Sequence, residues 1–147
     1  MARAVQEVHM ETLLKRMDDA KNIAKQLLES QQYTFRGLTP SMLESVAGVY
    51  AIFDQTTGAT LYVGRTKNIR RRLYTNHLMG PETNARLKKY LWMDPDRPDI
   101  PDMAAAKRYL IDNCYFQYIR VDEKVKRGQV EGLLSFLLDV TYIHEEH

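Results

Sequence analysis

The sequence predicts an α+β domain: a small antiparallel β-sheet, made of a hairpin plus a third strand, flanked by helices and preceded by an amphipathic helix. Two short runs rich in β-branched and aromatic residues, Gly48 to Asp54 and Ala59 to Gly64, enclose the Gly-containing turn Gln55-Thr56-Thr57-Gly58 and read as a β-hairpin. Tyr115 to Val121 alternates like a further strand. Apolar residues at Met10, Leu13, Met17, Ala20, Ala24 and Leu27 recur at spacings of 3, 4, 3, 4 and 3, which is helical periodicity.

In order along the chain, that stripe gives a helix over residues 10–28, widened by Leu14, Ile23 and Leu28. Gln31, Gln32 and the stretch to Pro40 read as its end and a connection, with Thr39 capping a short helix that has Pro40 in its first turn. The main domain is placed at residues 37–147 and the helical extension at residues 1–36. After the hairpin, Thr66 is the expected cap of a helix from Lys67 to about Leu78, with Ile69 and Leu73 facing inward. Gly80-Pro81 breaks it, and Asn84 to Trp92 forms another. Asp94 to Asp102, with three prolines and four Asp, is a loop; Met103 to Asp112 is helical by propensity. Gln129 to Val140 closes the domain as a helix with Val130, Leu133, Leu134, Leu137 and Leu138 on one face. This helix is expected to pack on the sheet, and the N-terminal helix to dock on the domain, with self-association secondary.

Composition narrows the function classes. With 147 residues, 44% of them hydrophobic, the chain suits one core. No apolar stretch approaches the roughly 20 residues needed to span a bilayer, and Leu133 to Leu138 is itself broken by Ser135. Cys114 is the single cysteine, which excludes an intrachain disulfide or a multi-cysteine metal site and fits a reducing, cytoplasmic setting. The net charge of +2 hides a concentration: residues 62–92 hold eight Lys/Arg against Glu82, a local +7, while the remainder carries −5. Concentrated basic charge attracts polyanions such as nucleic acid.

Four residues stand out. Tyr50 and Tyr62 sit near the middle of paired strands, Arg72 at the edge of the buried face of the next helix, and Glu131 beside the apolar stripe of the last helix. Taken singly, each has a bland reading: packing tyrosines, a solvated arginine, a carboxylate near the positive end of a helix dipole. Taken together they form a pattern. Gly48-Val49-Tyr50, eleven residues, then Tyr62-Val63-Gly64, resembles the GIY-YIG nuclease family. The continuation Arg65 to Leu73 resembles that family's next block, with Arg72 ten residues after Tyr62, and Arg127 to Leu134 resembles its last, which carries Glu131.

The resemblance, over residues 46–143, implies a Mg²⁺- or Mn²⁺-dependent DNA endonuclease. It implies that Tyr50 and Tyr62 match the motif tyrosines, one of which helps activate water, that Arg72 stabilises phosphate charge, and that Glu131 is the single protein ligand to the metal. His77 lies one residue past the place, Asn76 here, where members carry His or Tyr, and is a further catalytic candidate. Arg65, Lys67, Arg70, Arg71, Lys88 and Lys89 are the expected DNA contacts, with Arg70 and Arg71 pointing outward. Many members end in Pro-x-Tyr-Asn; here the stretch reads Val140-Thr141-Tyr142-Ile143, with the Asn absent. That departure supports an alternative: a nucleic-acid-binding module on the same fold with little or no turnover.

Overall fold

The computed structural model describes residues 2–79 and 86–143, with the backbone alone for residues 76–79. Four antiparallel strands form one sheet in the order β1-β4-β2-β3, where β1 is Tyr33–Thr34, β2 Gly48–Asp54, β3 Thr60–Thr66 and β4 Cys114–Arg120. The expected hairpin is β2–β3, with Tyr50 paired to Gly64 and Ile52 to Tyr62, and the expected third strand, β4, pairs with β2 along its whole length. The fourth strand, β1, has no signal in the sequence. Two residues carry no periodicity; β1 forms because the Tyr33 ring stacks on Phe116 and Tyr118 at 5.4 and 5.7 Å between centroids. The hairpin turn is pinned by buried Asp54, whose Oδ1 accepts the Thr56 and Thr57 backbone N–H groups while Tyr109 donates its hydroxyl to the other oxygen.

Alternation along β2 splits the core into two layers. Tyr50 and Ile52 face a cluster holding Phe35, Leu43, Ile69, Leu73, Leu87 and Leu110, to which α2 (Arg86–Met93) and α3 (Met103–Asn113) contribute. Val49, Ala51 and Phe53 face the other way, onto Leu27, Val130 and Leu134. Those last three belong to α1 (Ala2–Glu29) and α4 (Lys124–Leu137). Within α4 the buried stripe is narrower than the sequence suggests: Val130 and Leu134 are buried, but Leu137 is 45% exposed. The helix stops in a glycine-type termination without a glycine. Asp139, at φ 50°, donates its N–H to the Phe136 carbonyl, and Val140 to the Ser135 carbonyl.

Two helices differ from expectation. α1 is longer, and of its apolar stripe only Leu27 is buried, with Ile23 and Ala24 packed on the domain; Met10, Leu13 and Met17 are about half exposed. The end of α1 is tied down by Gln117 of β4, a buried amide donating to the Leu28 and Ser30 carbonyls at 3.1 and 2.8 Å. The core therefore takes in Leu27, Tyr33 and Phe35, ahead of Gly37. After β3, the cap is Asn68 rather than Thr66: Asn68 Oδ1 accepts the Arg71 N–H at 3.1 Å, while the Thr66 hydroxyl oxygen accepts the Asn68 N–H. Residues Arg71–Met79 then wind as a π-helix, a wide coil that propensity does not encode. Ile69 and Leu73 are both fully buried, as their spacing predicts.

Candidate active site

The site lies at the open edge of the sheet, because β3 is an edge strand and its neighbours on both faces reach around it. Tyr50 and Tyr62 project from one face with ring centroids 6.3 Å apart. Their closeness depends on Gly64, directly across from Tyr50: a Cβ there would stand 2.4 Å from the phenol Cζ and hydroxyl. Gly48 has a similar reason, since a Cβ would meet the Ile119 carbonyl oxygen at 2.3 Å. Both motif glycines are thus required by close approach rather than by turn geometry.

Arg72 descends onto the tyrosines from the π-helix, and its Nε donates to the Tyr50 hydroxyl at 3.3 Å. From the opposite face, α4 brings Glu131 to the same edge. A cavity of about 650 Å³ opens there, lined by Tyr62, Arg65, Arg72, Arg86, Glu131 and Tyr142 among others. The side chain of Glu131 is 33% exposed, and Arg65 Nε stands 3.9 Å from its Oε1. Arg65 passes close to Gly128, where any Cβ would meet its Nη1 at 2.3 Å. Arg65, expected as a DNA contact, thus also neighbours the candidate metal ligand.

Electrostatically the two phenols are held neutral. Burial, reinforced by Tyr62, pushes Tyr50 far above the usual tyrosine range, and Arg72 offsets only part of it. Burial also raises Tyr62, against the lowering influence of Arg72 and Arg86. From the protein's own groups, neither phenol ionises near neutral pH.

Of the other expected residues, Arg65, Lys67, Arg71 and Arg72 line one shallow basic depression, with Arg65, Lys67 and Arg71 exposed. Lys89 is exposed as well. Lys88 is not a surface contact: it is 3% exposed, and burial followed by the nearby Lys107 charge lowers its pKa. Helical spacing alone cannot separate Lys88 from Lys89; the packing of α2 turns Lys88 inward. Arg70 is also turned, half-buried with its Nε donating to the Leu43 carbonyl at 2.9 Å, so it ties a loop instead of pointing outward. The His77 side chain lies outside the described residues.

Tyr142 is a component of the site to which the sequence assigns no role. Its backbone N–H donates to the Leu61 carbonyl at 3.0 Å, which lays residues 141–142 beside β3. Its ring stacks on Tyr90, 5.9 Å between centroids, and Tyr90 in turn reaches Tyr62 at 6.4 Å. The Tyr142 hydroxyl donates to Asp94 at 2.6 Å and accepts from Arg97 at 2.8 Å. The loop of prolines and aspartates therefore holds one wall of the site. Ile143, the departure noted in the sequence, is 69% exposed at the cavity rim.

Among known proteins, residues 46–102 match the family model described as the GIY-YIG catalytic domain. No curated protein matches the chain. Among solved structures, the chain is similar to the GIY-YIG N-terminal endonuclease domain of UvrC from Thermotoga maritima, in two tyrosine-to-phenylalanine mutants each bound to its catalytic divalent cation. Each likeness has 17% identity and a TM-score of 0.37, and covers 72% of this chain and 91% of that one. Tyr50, Tyr62 and Arg72 fall inside the matched segment and Glu131 beyond it. The paired tyrosines, the two close-approach glycines and Arg72 thus all lie in the segment, residues 46–102, that matches the GIY-YIG catalytic domain.

Proposed function

We propose that the chain is a divalent-metal-dependent DNA endonuclease of the cytoplasm that hydrolyses phosphodiester bonds. The observation that carries this reading is the meeting of Arg72 and Glu131, from opposite faces of the sheet, in one open cavity beside Tyr62. The donor set fits Mg²⁺ or Mn²⁺: one partly exposed carboxylate faces a cavity wide enough for water, and among the described residues no three His, Cys, Asp or Glu side chains gather. A hard cation that keeps most of its water needs little more than this. When bound, the cation supplies charge stabilisation at the phosphate and the leaving oxygen.

The protein's own groups divide the remaining work. Arg72, held on Tyr50, places a fixed cation where negative charge grows on the non-bridging oxygens. Tyr62 faces the cavity and orients the attacking water through its hydroxyl, while the buried Tyr50 keeps the guanidinium in place. Because burial holds both phenols neutral, their part is hydrogen bonding, and the water's proton passes on to solvent. Arg65 steadies the Glu131 carboxylate. Lys67 and Arg71 bind backbone phosphates along the basic depression.

Glu131→Gln is the direct test. It is expected to abolish nicking of plasmid DNA in Mg²⁺ while leaving DNA affinity unchanged or slightly raised, since the carboxylate also repels phosphate. Normal cleavage by this variant removes the metal assignment. A second reading, a binding module without turnover, is favoured by the exposed Ile143 in place of the family Asn. Retarded but intact DNA from the wild-type chain in Mg²⁺ selects it.

A further inference from the structure

Among the described residues, nothing covers the apolar stripe of α1 from Met10 to Met17. Ile23, Ala24 and Leu27 reach the core, yet Met10, Leu13, Leu14 and Met17 are 54, 49, 58 and 57% exposed. A free helix in water is marginal at this length, and a Leu/Met stripe left wet forgoes its main source of stability. Beside the stripe runs a groove of about 530 Å³, walled by Leu13, Met17, Ala20 and Ile23 of α1 and floored by Val130 and Leu133 of α4. We propose that this groove is a dimer interface, and that its occupant is α1 of a second copy of the chain, packed antiparallel.

Charge and shape choose that occupant. Residues 1–31 hold five Lys/Arg and five Asp/Glu, so the helix has no excess charge to draw it to an anionic membrane or to DNA. A balanced mixture is instead able to complement itself. In one antiparallel register Met10 faces the partner's Ala20 and Leu13 faces the partner's Met17, large against small at the ends. The flanking positions then set Glu7 opposite the partner's Lys21, and by symmetry Lys21 opposite the partner's Glu7, with Leu14 meeting its copy on the axis. Sliding one heptad toward the C-terminus would require Leu27, which is fully buried in its own domain. Sliding the other way leaves Met17 and Ala20 uncovered. One contact opposes the register: Arg16 meets the partner's Arg16 near the two-fold, and removing that repulsion strengthens the dimer.

The test is sedimentation equilibrium on the full chain over roughly 1–100 µM, a range that brackets a micromolar association. A dimer is expected at the upper end. Leu13→Glu with Met17→Glu is expected to give a monomer that melts, by circular dichroism, like the wild-type chain diluted to its monomeric state, because neither residue is part of the domain core. Glu7→Lys is expected to weaken dimerisation about tenfold through two lost pairs and two new repulsions, and adding Lys21→Glu to restore it. Arg16→Gln tightens it. A chain that stays monomeric throughout overturns the proposal, as does capture of the helix by another protein only. So does a dimer indifferent to Leu13→Glu with Met17→Glu, or a charge-swapped double variant that fails to recover.

Discussion

Arg70, Arg71 and Arg72 are neighbours in sequence and differ in everything else. Arg72 meets a buried phenol, Arg70 meets a loop carbonyl, and Arg71 faces solvent in the basic depression. Arg72→Ala is therefore expected to lower kcat by about 10²–10³-fold with a small change in DNA affinity, the loss typical of a preorganised charge donor. Arg71→Ala should leave kcat intact and reduce the salt dependence of binding by about one phosphate contact. Single-turnover kinetics and salt titrations separate the two; equal losses in both variants would refute the division. The tyrosines make a pH prediction. Burial raises the Tyr50 and Tyr62 pKa values above that of an unfolded tyrosine, so the folded state holds its protons where the unfolded state has released them. The stability due to these groups is complete below pH about 10 and is lost as the pH rises toward their folded values. Thermal melts between neutral pH and pH about 11 should show the decline, and Tyr50→Phe should flatten it. Cys114, pushed up to about 12 by burial and then by Asp54, should resist thiol reagents at neutral pH in the folded chain.

At the scale of elements, helix ends decide where the functional side chains point. Asn68 caps the segment that carries Arg72, and its first turn is also fixed by Ile69 N–H donating to the Val46 carbonyl at 2.8 Å. Asn68→Ala is expected to cost about 1 kcal/mol in urea unfolding and to lower cleavage along with it, whereas Thr66→Ala should cost less. At the end of α4, Asp139 occupies a left-handed position that glycine fills without strain. Asp139→Gly should gain about 0.5 kcal/mol. Because Asp139 also lines the site cavity, a fall in activity in that more stable variant would show that the carboxylate is used there. The stack of Tyr90 on Tyr142 couples the proline-rich loop to the wall of the site in the same manner.

For the whole molecule, the division between projecting helix and domain is the main mechanical fact. Deleting residues 2–19 removes no residue of either core cluster and, at concentrations where the full chain is monomeric, should leave the melting temperature within about 2 °C. Deleting residues 2–32 removes Leu27, whose loss from a packed site alone costs about 2–5 kcal/mol, and strips the partners of Gln117. Against a total stability of about 5–15 kcal/mol, that longer truncation should melt far lower or fail to fold.

Much of this was legible from sequence because the signals are local. Hairpin spacing places Tyr50 and Tyr62 in adjacent strands, and helical periodicity sets Ile69 and Leu73 inward. Each rests on a repeat of two or about 3.6 residues within one element, which a chain carries in its own order. Other features depend on elements far apart in sequence, and only the tertiary structure decides them. The β1 strand exists through rings on β4, Lys88 and Arg70 turn inward because of what packs beside them, and Glu131 reaches the tyrosines only because β3 is an edge. The sequence determined which residues could do chemistry; strand order determined that Arg72 and Glu131, on opposite faces of a sheet, meet across its β3 edge.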